Sequence, residues 1–156
     1  MVKLSLSAKV LTALAGKRLA TAESLTGGGI GAAITSVSGA SAVFAGGIIS
    51  YTNEVKNQVL GVPAEYLERY GAVSAPVAKA MAEGARRVLA ADVAVAVTGL
   101  AGPDGDEFGN PVGTVFIGYA DENTAFAREC HFSGDRAQVR ERTIEAALAL
   151  ILEMNQ

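Results

Sequence analysis

The stretch that decides the fold is TAESLTGGGIG, residues 21–31. A short apolar run over residues 19–22 predicts a buried strand, and the small residues over 28–37 predict a helix directly after it. In α/β proteins the ligand crevice lies at the carboxyl ends of the strands, and glycines there let a ligand approach the backbone closely. Ser24 stands at this turn, and its hydroxyl is open to three interpretations: a nucleophile, a phosphate ligand or a helix N-cap.

The rest of the chain alternates helices with strands. The last two predicted strands are joined at DENT as a hairpin, and the run DVAVAVT is typical of a buried central strand. Helices are predicted over residues 4–17, 54–60, 64–70, 75–90 and 136–153. Asn53 is the predicted cap of the helix over 54–60, Ser74 of the helix over 75–90, and Asp135 of the helix over 136–153. Further strands are predicted over residues 46–52, 92–98, 113–120 and 124–132. We expect one domain over residues 1–156 with an α/β fold, a three-layer α/β/α sandwich with a mixed, mostly parallel sheet.

The composition excludes several classes of protein. The net charge of −3 over 156 residues disfavours a nucleic-acid partner. The longest uncharged stretch, residues 24–53, contains Gly, Ser and Thr throughout, so we expect no membrane partner. The amphipathic N-terminus indicates an ordinary first helix and not a signal peptide. A single cysteine, Cys130, excludes an internal disulfide and is typical of a reducing cytoplasm.

The glycine-rich segment does not match the common phosphate-binding motifs. It lacks the last glycine and the later acidic residue of a dinucleotide fingerprint, and no Gly-Lys-Ser/Thr follows as in a Walker loop. The only histidine, His131, disfavours a His/Cys zinc site, so no metal is expected. A serine triad would have to recruit His131, which lies on an alternating strand where a structural role is the more common one.

Without a histidine, an activated serine needs another base, and lysine is the usual substitute. Lys56 differs from the other four lysines because it begins a helix just after the strand that Tyr51 closes, so Ser24, Tyr51 and Lys56 are expected to meet above the sheet. A free lysine, with a pKa of about 10.4, is neutral in only about 1 in 2,500 molecules at pH 7, so burial or a nearby cation has to lower that pKa. The alternatives stay open: a solvated Lys56, a capping Ser24 and a half-buried strand Tyr51.

Several spaced motifs in one order carry a resemblance over nearly the whole chain. They are TAESLTGG, GGIISYTNEVKNQVLGV, YGAVSAPVAKAMAEGA, AVTGLAGPDG, PVGTV and FSGDRAQVRERT. With them the sequence resembles the C-terminal domain of the CinA (competence- and damage-inducible) family, which also occurs as a stand-alone nicotinamide-nucleotide amidohydrolase. The resemblance implies hydrolysis of the carboxamide of nicotinamide mononucleotide (NMN) to nicotinic acid mononucleotide and ammonia, an α/β/α fold and a homo-oligomer. It also implies a catalytic set of Ser24, Lys56 and Tyr51, with the arginine of the GDR motif at Arg136.

The sequence departs from the family pattern at two positions, and we expect it not to carry the additional N-terminal domain of full-length family members. Leu25 stands where the family usually has cysteine, and we expect it to affect packing and not chemistry. Asn110 replaces the lysine that commonly precedes PVG, so any substrate or subunit contact of that lysine is expected to be missing. Activity of the additional N-terminal domain is likewise not expected here.

The substrate needs an oxyanion site and a phosphate site. Backbone N–H groups near Ser24, or in the loop of Thr98, Gly99 and Gly102, are the expected oxyanion donors. The phosphate is expected either at the helix start of Thr26, Gly27 and Gly28, with its free N–H groups, or at Arg136. No cofactor is expected. Two other functions stay open: a regulatory module that binds a nucleotide phosphate without hydrolysis, and an amidase or esterase with another substrate.

Overall fold

A computed structural model describes residues 5–156 of the chain. Its core is one five-stranded sheet in the order β2-β1-β3-β4-β5, with helices on both faces. The elements are α1 (Leu6–Ala13), β1 (Leu19–Glu23), α2 (Gly29–Thr35), β2 (Phe44–Ile49), α3 (Asn53–Gln58), α4 (Ala64–Tyr70), α5 (Ala75–Val88), β3 (Val93–Gly99), β4 (Thr114–Ala120), β5 (Ala125–His131) and α6 (Arg136–Met154). This architecture confirms the predicted α/β/α sandwich.

The sheet is mixed, as predicted. β1 pairs in parallel with both β2 and β3, whereas β3 with β4 and β4 with β5 pair antiparallel. Four strands therefore run in one direction and only β4 runs against them. The carboxyl ends of β1, β2 and β3 meet at one edge, with β1 between the other two. In open α/β sheets this edge, where the chain turns off to opposite sides, is the usual place for a ligand.

The central strand β3 shows why the sheet has helices on both faces. Its valines and alanines alternate, and successive side chains of a strand point to opposite faces. Val93, Val95 and Val97 belong to a buried cluster with α1, α2 and α6, while Ala94 and Ala96 belong to a second cluster with α5. The small alanines let α5 lie close to the sheet.

Several element boundaries differ from the prediction by one or more residues, and three of the differences concern residues named above. β2 ends at Ile49, so Tyr51 lies two residues beyond the strand that it was predicted to close. The cap of α3 is Thr52, whose side chain accepts from the N–H of Val55, and not Asn53. α1 covers residues 6–13 only, and the predicted helical position of Leu4 lies outside the described residues.

The cap of the last helix is confirmed. The side chain of Asp135 accepts from the N–H of Gln138 at 2.9 Å, and the side chain of Gln138 accepts from the N–H of Asp135 at 2.9 Å. This reciprocal pair is the capping box, which satisfies two N–H groups that would otherwise have no partner at the helix start. It fixes where α6 begins and so where Arg136 lies.

Candidate active site

A pocket of about 310 Å³ opens at the shared carboxyl edge of β1, β2 and β3. This volume is at the small end of the range of ligand pockets, roughly 300–1,000 Å³. Its polar and charged side chains come from the segments that follow the three strands, α3 among them, and from α6: Ser24, Tyr51, Asn53, Lys56, Asp104 and Arg136. The other walls are backbone and small or apolar side chains: Leu25, Ala72, Val73, Thr98, Gly99, Leu100, Ala101 and Gly102.

Ser24 is buried directly after β1 and faces the pocket. Its N–H donates to the carbonyl of Val97 at 3.1 Å, which continues the pairing of β1 with β3. Its own carbonyl accepts from the N–H of Gly27 at 3.1 Å and closes a turn. The N-cap of α2 is Gly28, so the interpretation of Ser24 as a helix cap is wrong.

Lys56 is only 1% exposed, which rules out a solvated surface lysine. Its Nζ lies 3.1 Å from Ser24 Oγ and 2.8 Å from the carbonyl oxygen of Ser50, and the carbonyl oxygen of Tyr51 is 3.4 Å away. Burial lowers the pKa of Lys56 to about 8, because removal from water disfavours the charged ammonium. At pH 7 about one molecule in ten then carries a neutral amine able to accept a proton.

The side chain of Tyr51 borders the mouth of the pocket and is 61% exposed, so the alternative interpretation of Tyr51 as a half-buried strand aromatic is wrong. Within residues 5–156 its hydroxyl makes no hydrogen bond. Its contact with the Ser24–Lys56 pair is made by the backbone carbonyl. A substitution of the Tyr51 side chain therefore leaves in place the backbone carbonyl that contacts Lys56 Nζ.

The loop after β3 lines the pocket as predicted for Thr98, Gly99 and Gly102. The hydroxyl of Thr98 donates to the carbonyl of Ala72 at 2.8 Å and is occupied in the fold. A Cβ on Gly99 would lie 2.8 Å from the carbonyl oxygen of Thr114, so only glycine allows this approach of β3 to β4. Arg136 Nη1 donates to the carbonyl of Gly102 at 2.8 Å, which sets the guanidinium beside the pocket.

The start of α2, with Thr26, Gly27 and Gly28, was one of two alternatives for the phosphate site, and it lies beside the pocket. These three residues do not line the pocket. The buried carboxylate of Glu23 lies at the helix start, where it accepts from the N–H groups of Ile30 at 2.7 Å and Gly31 at 3.0 Å. A second anion would meet this negative charge, so the positive end of the helix is already neutralised from within.

Sequence reasoning missed Glu23. The hydroxyl of Thr26 also donates to this carboxylate, with Thr26 Oγ1 2.6 Å from Glu23 Oε1. A signal was present, since an acid directly before a glycine-rich helix start is placed to bind its N–H groups. Arg140 was missed as well. It lies on α6 one turn after Arg136, and that spacing places both on one face of a helix.

The structure shows the surroundings of Leu25 and Asn110, the two positions that depart from the family pattern. Leu25 is 5% exposed and lines the pocket, in keeping with the expected packing role. The side chain of Asn110 donates to the carbonyl of Val73 at 3.1 Å and to Asp106 at 2.8 Å, so it ties the 102–111 loop to the segment between α4 and α5. His131 lies outside the pocket, with its Nε2 2.6 Å from Glu129 Oε2.

Among residues 5–156 no three His, Cys, Asp or Glu side chains group as metal ligands. In that part of the chain no helix is long and apolar enough to span a bilayer.

Comparisons with known proteins agree with the architecture and the motifs. A CinA-like protein of Parasynechococcus marenigrum is 50% identical over 148 residues, which cover 92% of this chain and 35% of the relative. The chain spans about one third of the length of the curated relatives it matches. The crystal structure of competence damage-inducible protein A from Klebsiella pneumoniae matches at a TM-score of 0.92 and 37% identity, covering 95% of this chain and 93% of that one.

A competence/damage inducible protein of Agrobacterium tumefaciens matches at a TM-score of 0.93 and 37% identity over 100% of both chains. The family model described as the CinA C-terminal domain matches residues 3–155. With the family model, the relatives and the fold in agreement, the chain belongs to the CinA C-terminal domain family.

Proposed function

We propose that this chain hydrolyses the carboxamide of NMN to nicotinic acid mononucleotide and ammonia. The observation that carries the proposal is the 3.1 Å approach of the buried Lys56 Nζ to Ser24 Oγ in a pocket at the edge of the sheet. A buried lysine with a pKa of about 8 suits a general base at neutral pH. A protein that only binds a phosphate has no need of such a lysine.

The proposed reaction has two halves. Neutral Lys56 takes the proton of Ser24, and Ser24 Oγ bonds to the carboxamide carbon. Lys56 returns the proton to the nitrogen, the C–N bond breaks, and ammonia leaves an acyl-enzyme. A water molecule then gives a proton to Lys56, and its oxygen attacks the acyl carbon. The proton passes back to Ser24 as the acid product leaves.

Tyr51 is proposed as a helper in this reaction. Its backbone carbonyl helps to hold Lys56 Nζ, and its phenol stands at the pocket mouth. In that place the hydroxyl is available to a bound substrate or to the leaving ammonia. Thr98, Gly99 and Gly102 are proposed to contact the substrate through their backbone.

The proposal is tested by the release of ammonia from NMN by the purified chain, with Ser24→Ala beside it. We expect release by the native chain and a loss of at least about a thousandfold in the variant, because removal of the nucleophile removes the covalent route. Circular dichroism shows whether the variant is folded. A folded native chain that binds NMN without release would favour the phosphate-binding module. Release from another amide or ester, but not from NMN, would favour the third interpretation.

Arg136 is proposed to bind the substrate phosphate. A bond from a guanidinium to a phosphate is worth about 1.5–3 kcal/mol, so Arg136→Gln is expected to lower kcat/KM for NMN by roughly 10- to 150-fold, mainly through KM. Nicotinamide riboside, which lacks the phosphate, serves as the matched substrate. Its kcat/KM is expected to change less than about threefold, and an equal loss for both substrates would place the phosphate elsewhere.

Two wider expectations remain proposals. We propose that residues 1–156 act as one domain, without a cofactor or metal in the reaction. We also propose a homo-oligomer, supported by the exposed Ile49 and Tyr51 beside the free edge of β2.

A further inference from the structure

Arg140 joins the last helix to the turn that carries Ser24. From α6, Arg140 Nε donates to the carbonyl of Leu25 at 2.9 Å, and Nη2 donates to the carbonyl of Thr26 at 3.2 Å. The guanidinium therefore holds two successive carbonyls that lie more than a hundred residues away in the chain. Its planar fork of N–H groups suits a paired contact of this kind, which a lysine cannot copy.

These contacts determine which way the peptide groups of the turn face. The carbonyl of Ser24 points to the N–H of Gly27, and the next two carbonyls point to Arg140. In a trans peptide the N–H points opposite to the carbonyl of the same plane. The N–H groups of Leu25 and Thr26 are thus turned away from these partners, and neither has an acceptor among residues 5–156.

We propose that Arg140 is a positioning residue for the reaction, holding the turn so that the N–H of Leu25 serves as an oxyanion donor. This inference rests on the proposed function. Leu25 lines the pocket directly after the nucleophile, and the N–H following a nucleophilic serine is a common oxyanion donor. Glu23 holds the other side of the turn through Thr26 and Ile30, so the segment is clamped from both sides.

The charge of Arg140 suits this task. A guanidinium bound to the carbonyl of Thr26 polarises the peptide group that carries the N–H of Gly27, and this N–H donates to the carbonyl of Ser24. The N–H of Leu25 belongs to the same peptide group as the Ser24 carbonyl, so this chain of bonds strengthens it as a donor. Both bonds lie at the partly exposed edge of the fold, so their loss is expected to change stability little. A kinetic effect without a stability effect separates positioning from a structural role.

The experiment uses Arg140→Met, Arg140→Lys and the control Arg142→Met in the full chain. Arg142 lies on the same helix but donates to the backbone and side chain of Ser133, away from the pocket. The first readout is the rate at which a fluorophosphonate labels Ser24, followed by intact mass with Ser24→Ala as the blank. In this step Ser24 Oγ bonds to phosphorus, fluoride leaves and the hydroxyl proton passes to Lys56. The second readout is kcat and KM for ammonia release from NMN.

We expect Arg140→Met to label at least about tenfold more slowly and to lose about 10- to 1,000-fold in kcat, with KM changed less than threefold. Arg140→Lys should recover part of the labelling rate, and Arg142→Met should match the native chain. All three variants should melt within about 3 °C of it.

The outcomes separate the two proposals. Labelling of Arg140→Met at the native rate overturns the positioning role. A lower labelling rate that is accompanied by a matching fall in melting temperature overturns it as well. If the native chain labels at Ser24 but releases no ammonia from NMN, the substrate is wrong, and slow labelling of Arg140→Met still supports the inference. If the native chain does not label at Ser24, the activated serine that both proposals need is absent, and both fail.

Discussion

Lys56→Met is expected to abolish ammonia release and at the same time to stabilise the fold at pH 7. The variant loses the only amine near Ser24 Oγ in the described pocket, so turnover should fall at least about a thousandfold. Methionine is close to lysine in length and has no charge to desolvate. We expect the free energy of unfolding to rise by about 1–3 kcal/mol, since the lost bonds to Ser50 and Ser24 offset part of the gain.

The pH dependence follows from the lowered pKa of Lys56. Its pKa is about 8 in the fold and 10.5 when unfolded, so between these values the unfolded chain binds more protons than the native one. Stability therefore rises with pH across that window, by about 3 kcal/mol in total from this group. Below pH 8 the full penalty is present. The gain of Lys56→Met should thus be largest below pH 8 and shrink toward pH 10.5.

Urea unfolding from pH 6.5 to 10 measures this difference, and kcat/KM of the native chain is followed over the same range. The rate should rise with an apparent pKa of about 8, the value at which Lys56 becomes neutral. Lys79→Met is the matched control, because Lys79 is exposed on α5 and lies outside the pocket. Normal turnover by Lys56→Met would show that Lys56 is not the base. A Lys56→Met chain less stable than the native one, by an amount that does not change with pH, would contradict the cost of burying the lysine.

The meeting of Ser24 with Lys56 could be predicted because it depends on topology and not on side-chain detail. Each residue follows a predicted strand, and parallel strands end at the same edge of a sheet. DVAVAVT was placed as the central strand for a similar reason. A run without charged residues has to be covered on both faces, and β3 is the middle strand of the five.

The helix start after Ser24 is the less favoured of the two alternatives for the phosphate site, and the reason is physical. The glycines after Ser24 indicated free N–H groups, but the pattern does not tell whether a nearby carboxylate will reach them. Glu23 does so because the strand ends with its side chain directed at α2. Likewise the contact of Arg140 with Leu25 joins residues distant in sequence, and no local periodicity reports such a pairing.

Gly84→Ala is expected to destabilise the fold by about 2–4 kcal/mol, although alanine is the better helix former. A Cβ at this position of α5 would lie 2.0 Å from the carbonyl oxygen and 2.8 Å from the carbonyl carbon of Leu60. These are backbone atoms, so the clash cannot be relieved by the rotation of a side chain. Overpacking of a core typically costs about 1–3 kcal/mol and occasionally more, and a clash with fixed backbone atoms belongs above that usual range. About 2–4 kcal/mol then remains after a gain in helix propensity of at most about 1 kcal/mol.

The clash also reaches the candidate active site. The carbonyl of Leu60 accepts from Arg87 Nη2 at 3.0 Å, and the N–H of Val62 donates to the carbonyl of Lys56 at 3.0 Å. Displacement of Leu60 therefore pulls on the backbone of α3 at the residue that carries the amine. We expect turnover to fall along with stability, because the proposed reaction requires Lys56 Nζ to be placed to within a fraction of an ångström.

Thermal unfolding and ammonia release measure the two effects, and the melting temperature should fall by roughly 4–16 °C. Gly31→Ala is the matched control in α2. There the nearest atom to a new Cβ is Phe44 Cζ at 3.3 Å, on a side chain that can shift by a few tenths of an ångström. That variant should melt within about 3 °C of the native chain. If Gly84→Ala were as stable as Gly31→Ala, α5 would not be in contact with the Leu60 backbone, and the link from the core to Lys56 would be lost.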